Sequence, residues 1–274
     1  MGASRGRMIA GLMILPAALV FLAFFVLPLV RLVIAGGEGP DGWAGYGIAL
    51  ADTRHLVSLA ETLLLSIAVT GATLVLGGIP GLFLARNQFP GRALLVSILT
   101  LPLAFPGVVV GFMVILLAGR QGLIGQVSLL LGGDRIVFAY SMAGLFLGYV
   151  YFSIPRVVLT VMASAEKLDP QLEEAARSLG AEPWRVFRDV ILPGLRPALI
   201  SAGAITFATS MGAFGTAFTL ATRIDVLPMV IYTEFTLGVN LAAAAGLSLL
   251  LGAVTWMALA LARSAAGAGV AAAG

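Results

Sequence analysis

The sequence predicts an all-α polytopic membrane protein with six transmembrane helices, and three observations carry that class. Of the 274 residues, 60% are apolar and only 11% are charged, against roughly 45–50% and about 25% in soluble domains. Mean hydropathy is +1.05. Finally, six apolar runs reach the length of about 20 residues that a helix needs to cross a bilayer. So little charge cannot cover a water-facing surface, and the same composition excludes a disordered chain.

The spans follow in order. Span one runs over 8–35, after Arg5 and Arg7. Its charge pattern is that of a signal peptide, but its apolar stretch exceeds the roughly 7–15 residues of such a segment, so it reads as an uncleaved span. Span two runs over 59–85 and is closed by Arg86; span three runs over 94–118 and is closed by Arg120. Span four covers 136–163, span five 198–220 and span six 241–262, closed by Arg263. Domain organisation is then a short N-terminus, 1–7, one transmembrane domain, 8–263, and an Ala/Gly-rich tail, 264–274, read as frayed. Alternate segments differ in basic residues. The N-terminus, the 86–93 and 164–197 loops and the C-terminus hold ten of the 16, and Arg156, within span four on its cytoplasmic half, makes eleven, while the other side holds Arg31, Arg54, Arg120, Arg135 and Arg223. The positive-inside rule places both termini in the cytoplasm.

Several chemistries are missing. There is no cysteine, and His55 is the only histidine, so thiol chemistry, His-cluster metal sites and a Ser-His triad cannot be built from this chain. The only lysine, Lys167, sits in Glu-Lys-Leu; a phosphate loop of the Walker type needs Gly-Lys-Ser/Thr. The chain therefore carries no ATP-hydrolysing motor, binds no cofactor of its own, and is not expected to be an enzyme.

The longest cytoplasmic segment, 164–197, also has the densest charge. Asp169 can cap a helix with Pro170 at its first position. Leu172, Ala175, Ala176 and Leu179 then recur on one face, and Gly180 stops the helix in a left-handed turn. A second helix is predicted to start near Pro183, with Trp184, Phe187 and Ile191 on one stripe, and to end at Pro193.

Glu174-Ala175-Ala176, three residues, Gly180, nine residues, Val190, one residue, then Leu192-Pro193 resembles the EAA signature of ATP-binding-cassette (ABC) importer permeases. Only Val190, where the family has Ile, departs from the pattern. The resemblance implies a type I (MetI-like) permease in a bacterial inner membrane, with coupling helices that dock into a groove of a separate ATPase. Glu173, Glu174, Arg177, Arg185 and Arg188 would then make contacts at the rim of that groove, with Trp184, Leu192 and Pro193 in the same element. It further implies a second permease, identical or homologous, and an extracytoplasmic binding protein, with ATP and Mg used by the ATPase. No nucleic-acid partner is implied. Leu15-Pro16-Ala17, Leu101-Pro102, Phe105-Pro106, Ser210-Met211-Gly212-Ala213-Phe214-Gly215 and Leu227-Pro228 are similar to permeases of the spermidine/putrescine type, which makes a polyamine or related amine or phosphonate the expected solute. Sulfate and molybdate permeases share the layout but often carry Glu where this chain has Ala213, a departure that leans away from oxyanions. An oxyanion or ferric-ion importer is the alternative within the class. An ion-coupled secondary transporter is the alternative outside it, and needs midplane ion sites that the spans do not display.

Within the spans, Glu61 near the outer end of span two is the candidate carboxylate for a translocation pathway, although an interfacial position, or a cap of the helix start near Ser58, fits it better. Pro102 and Pro106 are expected to kink span three, and Thr206, Thr209 and Ser210 to line a polar pathway or, more simply, to pack helices closely. His55 reads as an outer-loop surface residue, and Glu234, with Asp225 and Arg223, as part of an outer loop.

Overall fold

The structure, a computed structural model, describes residues 13–39, 42–220 and 224–266. The predicted N-terminus 1–7, most of the tail 264–274, and Arg5, Arg7 and Arg223 lie outside the described residues. Among the described residues every regular element is helical. Six helices are long and apolar enough to cross a membrane.

In chain order, α1 is Met13–Gly37, α2 Ala44–Ala51 and α3 Thr53–Arg86. They are followed by α4 Arg92–Thr100, which runs into a 3-10 turn at Leu101–Ala104, then α5 Gly107–Ala118 and α6 Leu123–Leu130. Next come α7 Met142–Ala165, α8 Pro170–Ser178 and α9 Pro183–Met211. The last three are α10 Gly215–Leu220, α11 Leu227–Thr236 and α12 Leu241–Ala266.

The chain divides into two compact units. The smaller is 1–56 with 230–250. In it, the Tyr46 hydroxyl donates to the Val33 carbonyl at 2.6 Å, and the Trp43 and Tyr46 rings stack at 6.0 Å. The larger, 57–229 with 251–274, holds two buried clusters. One centres on Val69, Leu145, Tyr149 and Leu220. The other, of Val157, Val161, Ala165, Leu195 and Ala202, packs Leu74 and Leu82 of α3 against α7 and α9.

Span three is broken rather than kinked. Phe105, ahead of Pro106, is extended at φ −96° and ψ 128°, as the ring of a following proline demands. A new helix then starts at Gly107. Span four begins later than predicted, because Phe138 and Ala139 instead donate their N–H groups to the Ala118 carbonyl, both at 3.1 Å.

Span five also differs. Pro193 does not end the second loop helix: Pro183 to Met211 is one helical run of 29 residues. A π turn at Phe187–Ile191 closes with the Leu192 N–H on the Phe187 carbonyl. Widening the turn there makes room for the Pro193 ring and for its missing donor. At the other end the run stops at Met211, and α10 resumes at Gly215, which cuts the predicted span. The break keeps its backbone satisfied: Tyr149, 1% exposed, donates its hydroxyl to the Ala213 carbonyl, as irregular backbone within a bilayer requires.

Two outer residues were misplaced by the sequence. His55 is buried in the first turns of α3, with Nε2 3.9 Å from Glu234 Oε1. Glu234 itself lies on α11, not in a loop.

Candidate functional site

The larger unit offers two sites, and the first is the 164–197 segment. The Asp169 carboxylate accepts the Gln171 N–H at 2.9 Å, so α8 starts where its cap was predicted. At its end the Ala181 N–H bonds the Ala176 carbonyl at 3.1 Å and the Gly180 N–H bonds that of Arg177 at 2.9 Å. This paired pattern is the Schellman stop, and it puts Gly180 at φ +81°. A Cβ at Gly180 would meet nothing within 4 Å, so the backbone angle, not crowding, calls for glycine.

α8 has one anchored face and one open face. On the anchored side Glu173 pairs with Arg86 at the end of α3, and Arg177 approaches it at 3.8 Å. Close by, Arg92 reaches Glu166 at 2.9 Å and the Leu84 carbonyl at 2.7 Å. The turn 87–91 and the 164–182 segment are thus held at one end of the bundle, as the charge count predicted. On the open side stand Leu172, Ala175 and Leu179, with Leu172 58% and Leu179 89% exposed. Trp184 is 64% exposed and stacks on Phe187 at 5.6 Å. Glu174, Arg185, Leu192 and Pro193 are exposed, and Ala176 is half-buried.

Glu173, expected to make contacts at the rim of the partner's groove, forms an ion pair within the chain. Sequence reasoning missed Arg86, Arg92 and Glu166 altogether. Each Arg had been counted only as a topology signal. Arg188 also pairs within the chain, with Asp189 at 2.7 Å.

The second site is a cavity of about 370 Å³ where the two broken spans meet. Pro102, Phe105, Gly107 and Val108 supply one wall, Phe152 and Arg156 of α7 another, and Thr209, Ala213, Gly215 and Thr216 a third. The walls are locked together by Thr216, whose hydroxyl donates to the Gly107 carbonyl at 2.9 Å. Close approach of α5 and α10 requires Gly111, where a Cβ would lie 2.6 Å from Thr219 Cβ. Arg156 is the only charged residue in the lining, and its Nη1 donates to Thr209 Oγ1 at 3.1 Å.

Of the predicted pathway residues, Pro102 lines this cavity and Pro106 shapes its wall as the residue before α5. Thr206 and Ser210 do not line it. They are 0% and 1% exposed, their hydroxyls without partners among the described residues. Thr209, the residue between them in register, is the one that faces the cavity. Glu61 is half-buried on α3, outside the lining, and forms no hydrogen bond or ion pair among the described residues. Next to it, Thr62 accepts the Leu227 N–H at 2.8 Å and so caps α11.

A family model, the binding-protein-dependent transport system inner membrane component, matches residues 73–266. The molybdenum transport system permease protein of Escherichia coli (strain K12) is 39% identical over 182 residues, 63% of this chain and 78% of that protein. A sulfate transport system permease protein of Synechocystis is 34% identical over 225 residues, 79% of this chain and 80% of the relative. Among solved structures, a chain of a bacterial alginate ABC transporter in complex with a periplasmic protein superposes with a TM-score of 0.83 at 18% identity. It covers 97% of this chain and 96% of its own. A chain of the inward-facing methionine ABC transporter gives 0.60 at 20% identity over 78% of this chain and 95% of its own. These two share the fold. With the matched region spanning both sites and more than half its length, the chain belongs to the binding-protein-dependent transport system inner membrane component family.

Proposed function

We propose that this permease forms half of the translocation pathway of an ATP-driven importer, and that its solute is a tetrahedral oxyanion of the molybdate or sulfate class. The observation that carries the first half is the open apolar face of α8. Leu172, Leu179 and Trp184 are left uncovered at the end of the bundle where the Arg86 and Arg92 pairs anchor the loop. Burying such side chains in a partner's groove contributes roughly 1.5–3 kcal/mol each. A separate ATPase supplies the groove and hydrolyses ATP with Mg, a second permease completes the pore, and an extracytoplasmic binding protein delivers the solute.

The solute class is supported by the relatives, whose names cover molybdenum and sulfate transport. These names favour the oxyanion alternative over the polyamine expectation drawn from short apolar motifs, and they outweigh the lean that Ala213 gave away from oxyanions. One chemistry, a tetrahedral anion, covers both names.

Two substitutions test the coupling face. Glu174→Lys and Gly180→Arg should release the ATPase in co-purification while the permease still inserts, and an unchanged complex would refute the docking role. Uptake of radiolabelled molybdate, sulfate and putrescine by the assembled complex tests the solute. Putrescine uptake without either oxyanion would overturn the class.

A further inference from the structure

We infer that Arg156 is a binding residue for the transported anion, holding it inside the membrane cavity while Thr209 positions the guanidinium. The inference rests on the oxyanion reading above. Its first support is depth. At a rise of 1.5 Å per residue, Arg156 lies about 14 Å from the cytoplasmic end of α7 and about 21 Å from the outer end. That is too far from either end for the side chain to reach a headgroup region by snorkelling. A charge at this depth costs about 2.5–3.5 kcal/mol even on insertion scales, so it needs a partner or a wet cavity.

No carboxylate provides the partner. Among the described residues, Arg156 forms no ion pair, and no Asp or Glu lines the cavity. The bond to Thr209 uses one N–H of the five that a guanidinium carries. The remaining fork matches the spacing of two oxygens on a tetrahedral anion. Gly107 and Val108, in the first turn of α5, stand in the same wall. Their N–H groups have no acceptor within the helix, and the positive end of its dipole lies on the cavity side. A volume of about 370 Å³ admits an oxyanion with part of its hydration shell, at about 30 Å³ per water. Phe105 and Phe152 in the lining strengthen the attraction by excluding bulk water. A cationic solute would meet a like charge and no carboxylate in this lining.

The test uses the complete complex of permease pair, ATPase and binding protein in proteoliposomes. The first arm is wild-type uptake of radiolabelled molybdate and sulfate. Failure to take up either overturns the oxyanion reading, and with it this site. The second arm compares Arg156→Lys, Arg156→Met and Arg156→Gln at equal amounts of assembled complex. Loss of the charge-assisted bonds in the Met and Gln variants is expected to lower the uptake rate about tenfold or more, with Lys between these and wild type. An Arg156→Met rate within about twofold of an active wild type overturns the binding role, since Met keeps the apolar bulk and removes only the charge. The third arm needs no variant. Phenylglyoxal labelling of Arg156, read by mass spectrometry of its peptide, should slow in molybdate or sulfate and not in putrescine. Equal labelling with and without oxyanion overturns the site, whatever the variants do.

Discussion

The Arg86 guanidinium at the cytoplasmic end of α3 pairs with the Glu173 carboxylate of α8, across 87 residues of sequence. This pair links a membrane-crossing helix to α8, the helix proposed above to dock the ATPase. Together with the Arg92–Glu166 pair it ties α8 and the segment before it to the end of α3, and the proposed coupling would use this link to pass motion of α8 to α3.

Glu173→Gln or Arg86→Gln should therefore lower uptake more than it lowers ATPase binding. Both side chains are mostly covered, 12% and 26% exposed, so the coupling energy of the pair in a double-mutant cycle should be about 1–3 kcal/mol. The reversed pair, Arg86→Glu with Glu173→Arg, should recover part of the lost uptake. Additive single effects, with no recovery in the swap, would show that the pair transmits nothing.

Gly180 tests conformation apart from size. A left-handed residue costs an ordinary L side chain about 1–2 kcal/mol, while Asn tolerates it. With open space around the position, Gly180→Asn should keep more ATPase in co-purification than Gly180→Val, even though the two are similar in bulk. The reverse order would mean that contact with the partner, not the turn, selects glycine.

Tyr149→Phe removes the hydroxyl that donates to the Ala213 carbonyl, in the break that forms one cavity wall. Leaving a carbonyl unpaired in a buried site costs about 1–3 kcal/mol. Thermal unfolding of the purified complex should shift down, and the shift should exceed that of Tyr151→Phe, which loses no such bond.

Two glycines separate close packing from mere helix content. Gly111→Ala should destabilise by about 1–3 kcal/mol through overpacking on Thr219. Gly71→Ala meets nothing within 4 Å and should be neutral or stabilise α3 by up to about 1 kcal/mol. Comparable thermal shifts in the two variants would rule out tight contact between α5 and α10.

What the sequence made legible was local. Asp169, Pro170 and Gly180 announce α8 because a cap, a first-turn proline and a stop act on their nearest neighbours. The Arg86–Glu173 and Arg156–Thr209 pairs were invisible because their partners lie 87 and 53 residues apart. Hydropathy carried span three straight across Phe105-Pro106, since an average over apolar residues does not register a break in backbone hydrogen bonding. Pro193 misled for the opposite reason: the rule that proline ends a helix assumes α geometry, and the π turn at Phe187–Ile191 evades it. Thr206, Thr209 and Ser210 were all chosen for their hydroxyls, but the helical phase of α9 turns only Thr209 to the cavity.

The central claim is that ATP hydrolysed by a separate subunit on α8 drives transport. It is tested most directly by oxyanion uptake into proteoliposomes prepared with and without that ATPase. Uptake should require the ATPase, ATP and the loaded binding protein together, and removal of any one should abolish it. Uptake that persists in the absence of the ATPase, driven by an ion gradient alone, would contradict the account.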